Sequence, residues 1–174
     1  MKKNQLFSKK SFLNGLLYAF ALSFTMFSIS CSDDDENPVA VEEEEVITTM
    51  NVTLTASGAT AITLQSKDLD GDGPDAPVIE ISGNLTANTM YAGSIELLNE
   101  TETPAEDITA EVAEEDDEHQ FFFSPGGAIT AVDYNDQDGN GNPVGLSFTL
   151  NTGDAGSGSL QITLRHEPKK QSEL

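Results

Sequence analysis

From Val46 onward, apolar residues recur at every second position, the period of a half-buried β-strand. Met50, Val52 and Leu54 alternate with Asn51, Thr53 and Thr55, and Ile62 and Leu64 alternate with Thr63 and Gln65. Ile79 and Ile81 flank Glu80, while Tyr91, Ile95 and Leu97 fall on one face. Phe121 and Phe123, then Leu146, Phe148 and Leu150, then Leu160, Ile162 and Leu164 repeat the pattern. Ile129 and Val132 form a short apolar segment of their own. Short strands rich in β-branched residues and broken by Gly, Asn and Pro predict a mainly β chain. The expected architecture is a single antiparallel β-sandwich of the immunoglobulin-like kind over residues 46–167, with 168–174 as a C-terminal tail.

One segment departs from this period. Thr103-Pro104-Ala105-Glu106 reads as a capping box with proline at the first helical position, and Ile108 and Val112 lie four apart. A short helix is expected near 104–113. Glu114 to Glu118 are five consecutive acids, set where a helix C-terminus prefers cations. The helix should fray there unless a cation or basic partner compensates.

The first forty residues follow another logic. Lys2, Lys3, Lys9 and Lys10 precede an apolar stretch, Leu16 to Ile29, diluted by Ser23, Thr25 and Ser28. Basic, then apolar, then small residues is the order of a secretory signal, so residues 1–30 are expected to be removed on export. Ser28-Ile29-Ser30-Cys31 resembles the lipobox of bacterial lipoproteins, with Ser28 where leucine is usual. Cys31, the single cysteine, excludes an internal disulfide and is the expected site of lipidation, which would hold the protein to a membrane. Ser32-Asp33-Asp34-Asp35-Glu36 resembles the acidic export signal of Bacteroidetes surface lipoproteins and implies an outer-membrane, outward-facing address. Residues 31–45, ending in Glu42 to Glu45, should form an extended, self-repelling tether.

Loss of the signal leaves four of the eight basic residues against all thirty acidic ones, a formal charge of −26. Such a surface repels nucleic acid and favours cations or basic partners. Two hairpin loops carry alternating oxygen donors. Asp68, Asp70 and Asp72 precede Gly73, and Asp136, Asp138 and Asn140 precede Gly141. Positions one, three and five, with glycine at six, match the opening of an EF-hand loop and make Ca2+ the candidate cofactor, although neither loop supplies the closing glutamate. Asp and Gly are also the ordinary residues of a tight turn. His119 and His166 would form a zinc or copper site with a carboxylate if the edges of their strands meet. None of the common hydrolase or phosphate-binding motifs is present, which argues against an enzyme.

Met50 to Lys170 resembles a family of small flavobacterial surface lipoproteins, often labelled as type 1 periplasmic-binding fold proteins. The resemblance rests on Asp68-Leu69-Asp70-Gly71-Asp72-Gly73-Pro74, Leu97-Leu98-Asn99-Glu100-Thr101 and Pro104-Ala105-Glu106-Asp107-Ile108. Asp117-Glu118-His119-Gln120-Phe121-Phe122 and Leu164-Arg165-His166-Glu167-Pro168-Lys169 extend it. That label implies a two-lobed α/β fold, whereas the period-two pattern here predicts strands. The resemblance implies a non-enzymatic binding or accessory module beside a TonB-dependent outer-membrane receptor. The alternative is an acidic structural surface protein whose loops bind calcium for stability. Similar proteins continue past the Glu-Pro-Lys segment into one more strand, whose absence would leave a sheet edge open; either the domain closes without it or this sequence is truncated.

Overall fold

The computed structural model describes residues 45–71 and 73–170. Cys31, the acidic export signal Ser32, Asp33, Asp34, Asp35 and Glu36, and Asp72 lie outside them. The described part of the chain is mainly β, with one short helix. Among the described residues nine strands run in order: β1 (Thr49–Thr55), β2 (Ile62–Lys67), β3 (Val78–Ile81), β4 (Met90–Asn99), β5 (Glu106–Asp107), β6 (His119–Gly127), β7 (Ile129–Tyr134), β8 (Ser147–Thr152) and β9 (Gly158–His166). Helix α1 (Thr109–Glu114) lies between β5 and β6.

Among the described residues the strands make two antiparallel layers of unequal size. The large sheet follows the order β3-β2-β1-β4-β8-β7, with β5 paired to the end of β4, and the smaller layer is β6 paired with β9. β4 shows why the pattern is legible: its residues alternate exposed and buried, and Tyr91, Ile95 and Leu97 all point inward. Across from them on β1 and β8, Val52, Leu54, Phe148 and Leu150 are buried on the same face. The smaller layer sends Phe121 into this core and sets Phe123 against Phe148 and Tyr134, at ring-centroid distances of 4.7 and 5.5 Å. Ile108 and Val112 close one end of the core, both fully buried.

Gly93 faces Phe148 on the neighbouring strand, and a Cβ there would overlap the Phe148 ring. Because both strands are central, neither can yield easily. Gly93→Ala is therefore expected to cost about 1–3 kcal/mol by overpacking, read as a lowered urea midpoint with the slope unchanged.

The helix is shorter and later than the sequence suggests. Glu106 and Asp107 extend as β5 against Leu98 and Asn99, so the capping-box residues never enter a helix. The Asp107 carboxylate accepts the Thr109 backbone N–H at 3.0 Å, and the Thr109 hydroxyl receives the Leu97 N–H at 2.8 Å. Pairing with β4 thus outcompetes the local helix signal. The acidic run beyond α1 finds its basic partner within the chain. Lys170 donates to the Asp116 carbonyl and pairs with Asp138 at 3.3 Å, its side chain almost fully buried. Residues 168–170, expected in a tail, are accordingly part of the folded unit.

Ile129 and Val132 sit three apart because β7 slips register against β8 between Ile129 and Ala131. An inserted residue returns the strand to the same face, so both side chains pack toward the core. The small second layer leaves part of the large sheet bare. On the edge strand β3, Val78, Ile79 and Ile81 are 59, 62 and 62% exposed.

Candidate functional site

The two histidines do meet, and in direct register: His119 on β6 pairs with His166 on β9. Their rings stack with centroids 4.9 Å apart and planes 17° from parallel. Imidazole lone pairs lie in the ring plane, so two nearly parallel stacked rings do not aim at a common ion. The expected chelating pair is instead an aromatic contact. His166 Nε2 turns toward Glu118 at 3.4 Å.

His119 joins a different group. Its Nδ1 faces the Glu115 carbonyl at 3.1 Å, and its Nε2 lies 3.0 Å from Glu45 Oε1. A Glu115 carboxylate oxygen stands 3.9 Å from Nδ1. One donor atom from each of Glu45, Glu115 and His119 lies within 4.8 Å of the others. The His119 side chain is 1% exposed, Glu45 11% and Glu115 46%, so the cluster opens to water through Glu115.

Topology brings these residues together. Glu45 precedes β1, Glu115 follows the last turn of α1, and His119 begins β6. The α1–β6 turn is itself fixed by the Glu115 and Glu118 backbone N–H groups, which donate to the carbonyls of Glu111 and Glu115. Glu45 was expected to end the tether, and Glu115 to be one acid among five. The spacing of Glu115 and His119, four residues apart across the α1–β6 turn, was the available signal. Nothing local to Glu45 marks it.

The Asp/Gly loops have a different character. In the β7–β8 connection, Asp136 accepts the backbone N–H groups of Gly145 and Ser147 at 2.7 and 2.8 Å. Asp138 accepts those of Asn140 and Asn142 at 2.9 and 2.8 Å, together with the Asn142 amide and the Lys170 ammonium. Burial of Asp138 acts to raise its pKa, yet these donors outweigh it and hold the carboxyl at about 2, below the ordinary 3.8. The spacing that resembled a cation loop therefore builds the turn from within, with Asn140 supplying its backbone N–H.

In the β2–β3 loop, Asp70 folds back over Gly73 and accepts the Asp75 N–H at 3.3 Å. Asp68 is tied by its own backbone N–H to the Thr48 carbonyl at 2.8 Å. Among the described residues, neither loop brings three acidic, histidine or cysteine side chains within reach of one ion.

The outer face of the large sheet carries a polar row. Glu80, Gln65, Asn51 and Glu96 are consecutive register partners on β3, β2, β1 and β4. Gln65 donates to Asn51 at 2.8 Å, and Asn51 donates to Glu96 at 2.9 Å. These residues, with Ile81 and Ser82, border a recess of about 420 Å³ beside the β3 edge. Nearby, Glu100 takes hydrogen bonds from Lys67 and Thr49, which lower its pKa. Among the described residues no helix is long and apolar enough to cross a membrane. No family model, curated protein or solved structure matches this chain.

Proposed function

We propose that the chain is an exported lipoprotein of the outer membrane, anchored through Cys31, whose β domain is a non-enzymatic binding module. It works beside a TonB-dependent uptake receptor. The observation that supports this reading best is the β3 edge. β3 ends the order of the large sheet and exposes Val78, Ile79 and Ile81. A strand with one edge open among the described residues and apolar side chains exposed is a template for an added strand, the recognition mode in which backbone hydrogen bonds give affinity and side-chain recesses give selectivity. Glu80 and Glu96 border the adjoining recess, so the complementary occupant is an extended receptor segment bearing basic side chains.

The structural alternative, calcium-stabilised loops, draws less support, because the Asp136 and Asp138 oxygens already accept protein N–H donors.

A photo-crosslinker at Ile79 of the full chain, expressed in its own outer membrane, is expected to capture a TonB-dependent receptor. The yield should fall severalfold with the crosslinker at Asp154, an exposed residue of the β8–β9 loop. Equal yields, or no receptor product, would overturn the docking reading. Loss of fatty-acid label in Cys31→Ser checks the anchor, and a label that persists would reject it.

A further inference from the structure

We infer that Glu45, Glu115 and His119 form a binding site for a divalent transition cation of the zinc class, placed where the chain enters the domain. The geometry of His119 carries the argument. Its Nδ1 is turned to the Glu115 carbonyl, which fixes the ring orientation and presents Nε2 to Glu45. A backbone carbonyl holding one ring nitrogen while the other is directed at a ligand position is the usual outer-shell arrangement of a metal-binding histidine. With Nδ1 as the donor, Nε2 and the Glu45 carboxylate oxygen are two acceptors 3.0 Å apart. A proton or a cation must stand between them. Two donors on one tetrahedral zinc, with bonds of about 2.0–2.2 Å, stand roughly 3.3–3.5 Å apart. The pair at 3.0 Å would open by a few tenths of an ångström to admit the ion.

The surrounding charges favour positive charge at this point. Among the described residues neither carboxylate is paired with a lysine or arginine. Lys67 is committed to Glu100, Lys170 to Asp138, and Arg165 lies over the Phe122 ring. Two acids in contact with one histidine, in a chain with so large an acidic excess, leave a net negative pocket. One imidazole with two carboxylates is a mixed nitrogen and oxygen set suited to zinc, whereas calcium takes oxygen donors alone. Glu115, the most exposed of the three, gives the ion a route in and leaves a position for water. Because the three ligands come from the segment before β1, the end of α1 and the start of β6, a bound ion would tie the base of the tether to the second layer.

A thermal melt of the full chain in mild detergent, stripped by chelator and then given zinc salt alone, tests the site. The wild type is expected to rise by several degrees, since an ion that binds only the folded state stabilises it. Glu45→Gln and Glu115→Gln should lose that rise, while His166→Gln should keep it. The two glutamine variants keep the size of the side chains and do not disturb the buried ring. Visible absorption of cobalt(II) in the same site gives a readout independent of stability, and Glu45→Gln should lose it. No zinc shift in the wild type would overturn the inference and leave a protonated hydrogen bond. A shift of equal size in Glu45→Gln, one lost only in His166→Gln, or one matched by calcium would also overturn it. None of these outcomes depends on the β3 edge, so the docking reading stands or falls separately.

Discussion

Asp138→Ala is expected to be among the most destabilising single substitutions in this protein, costing about 3–5 kcal/mol where one partner of a buried ion pair is removed. The carboxylate organises the β7–β8 loop through the backbone N–H groups of Asn140 and Asn142 and pairs with the buried ammonium of Lys170. Its loss leaves a nearly buried cation without its anion and loop donors without their acceptor. Against a typical total stability of about 5–15 kcal/mol, that is a large fraction. Urea unfolding at neutral pH measures it directly, and a change below about 1 kcal/mol would show that water replaces the carboxylate at little cost.

The same group predicts a pH dependence of definite sign. Its folded-state pKa is depressed, to about 2 from 3.8, so the folded state favours the ionised form. The stabilisation is fully present above the unfolded value and fades as pH falls through the window between the two. In the isosteric Asp138→Asn variant this contribution is absent at every pH. The gap between wild type and variant should therefore be constant from neutrality down to about pH 5 and narrow as pH 2 is approached. A gap that widens on acidification would contradict the assignment.

The second large effect is expected at Phe148. The ring is fully buried, lies over Gly93 and meets Phe123 at 4.7 Å, so it fills the junction between the two layers. Phe148→Ala should cost about 3–5 kcal/mol from lost transfer energy and the cavity left behind. Met90, 67% exposed on β4, is the matched control. Its replacement by alanine should stay within about 0.5 kcal/mol. If the two substitutions cost the same, the layers do not share this core.

Strand periodicity made most of the large sheet readable. The β4 residues Tyr91, Ile95 and Leu97 were expected on one face and are all buried there, as are Val52 and Leu54 of β1. Local signals misled where a longer-range pairing was stronger. The Thr103-Pro104-Ala105-Glu106 segment carries helix-starting chemistry, but the register of β5 with Leu98 and Asn99 decides its conformation. The offset of Ile129 from Val132 had no reading until the bulge supplied one.

At the candidate site the two histidines were identified as residues that could meet, and they do. Which partners they choose depends on ring orientation, which no spacing encodes. Glu45 could not be found at all, because it meets His119 from 74 residues earlier in the chain. The Asp/Gly loops show the converse case. Alternating acids with a following glycine suit a cation and suit a turn, and here Asp136 and Asp138 accept hydrogen bonds from Gly145, Ser147, Asn140 and Asn142 as turn residues do.

The pairing of β6 with β9 also bears on the order of events as the protein forms. These partners enclose β7 and β8 in the sequence, and His119 awaits a neighbour 47 positions later. Contacts of such long sequence separation must close a large loop before they are rewarded, which slows folding. A polypeptide delivered N-terminus first could assemble β1, β2 and β4 early. Its aromatic second layer stays incomplete until the last strand has emerged. Under the export proposed above, that arrangement would tie completion of the hydrophobic core to completion of transport.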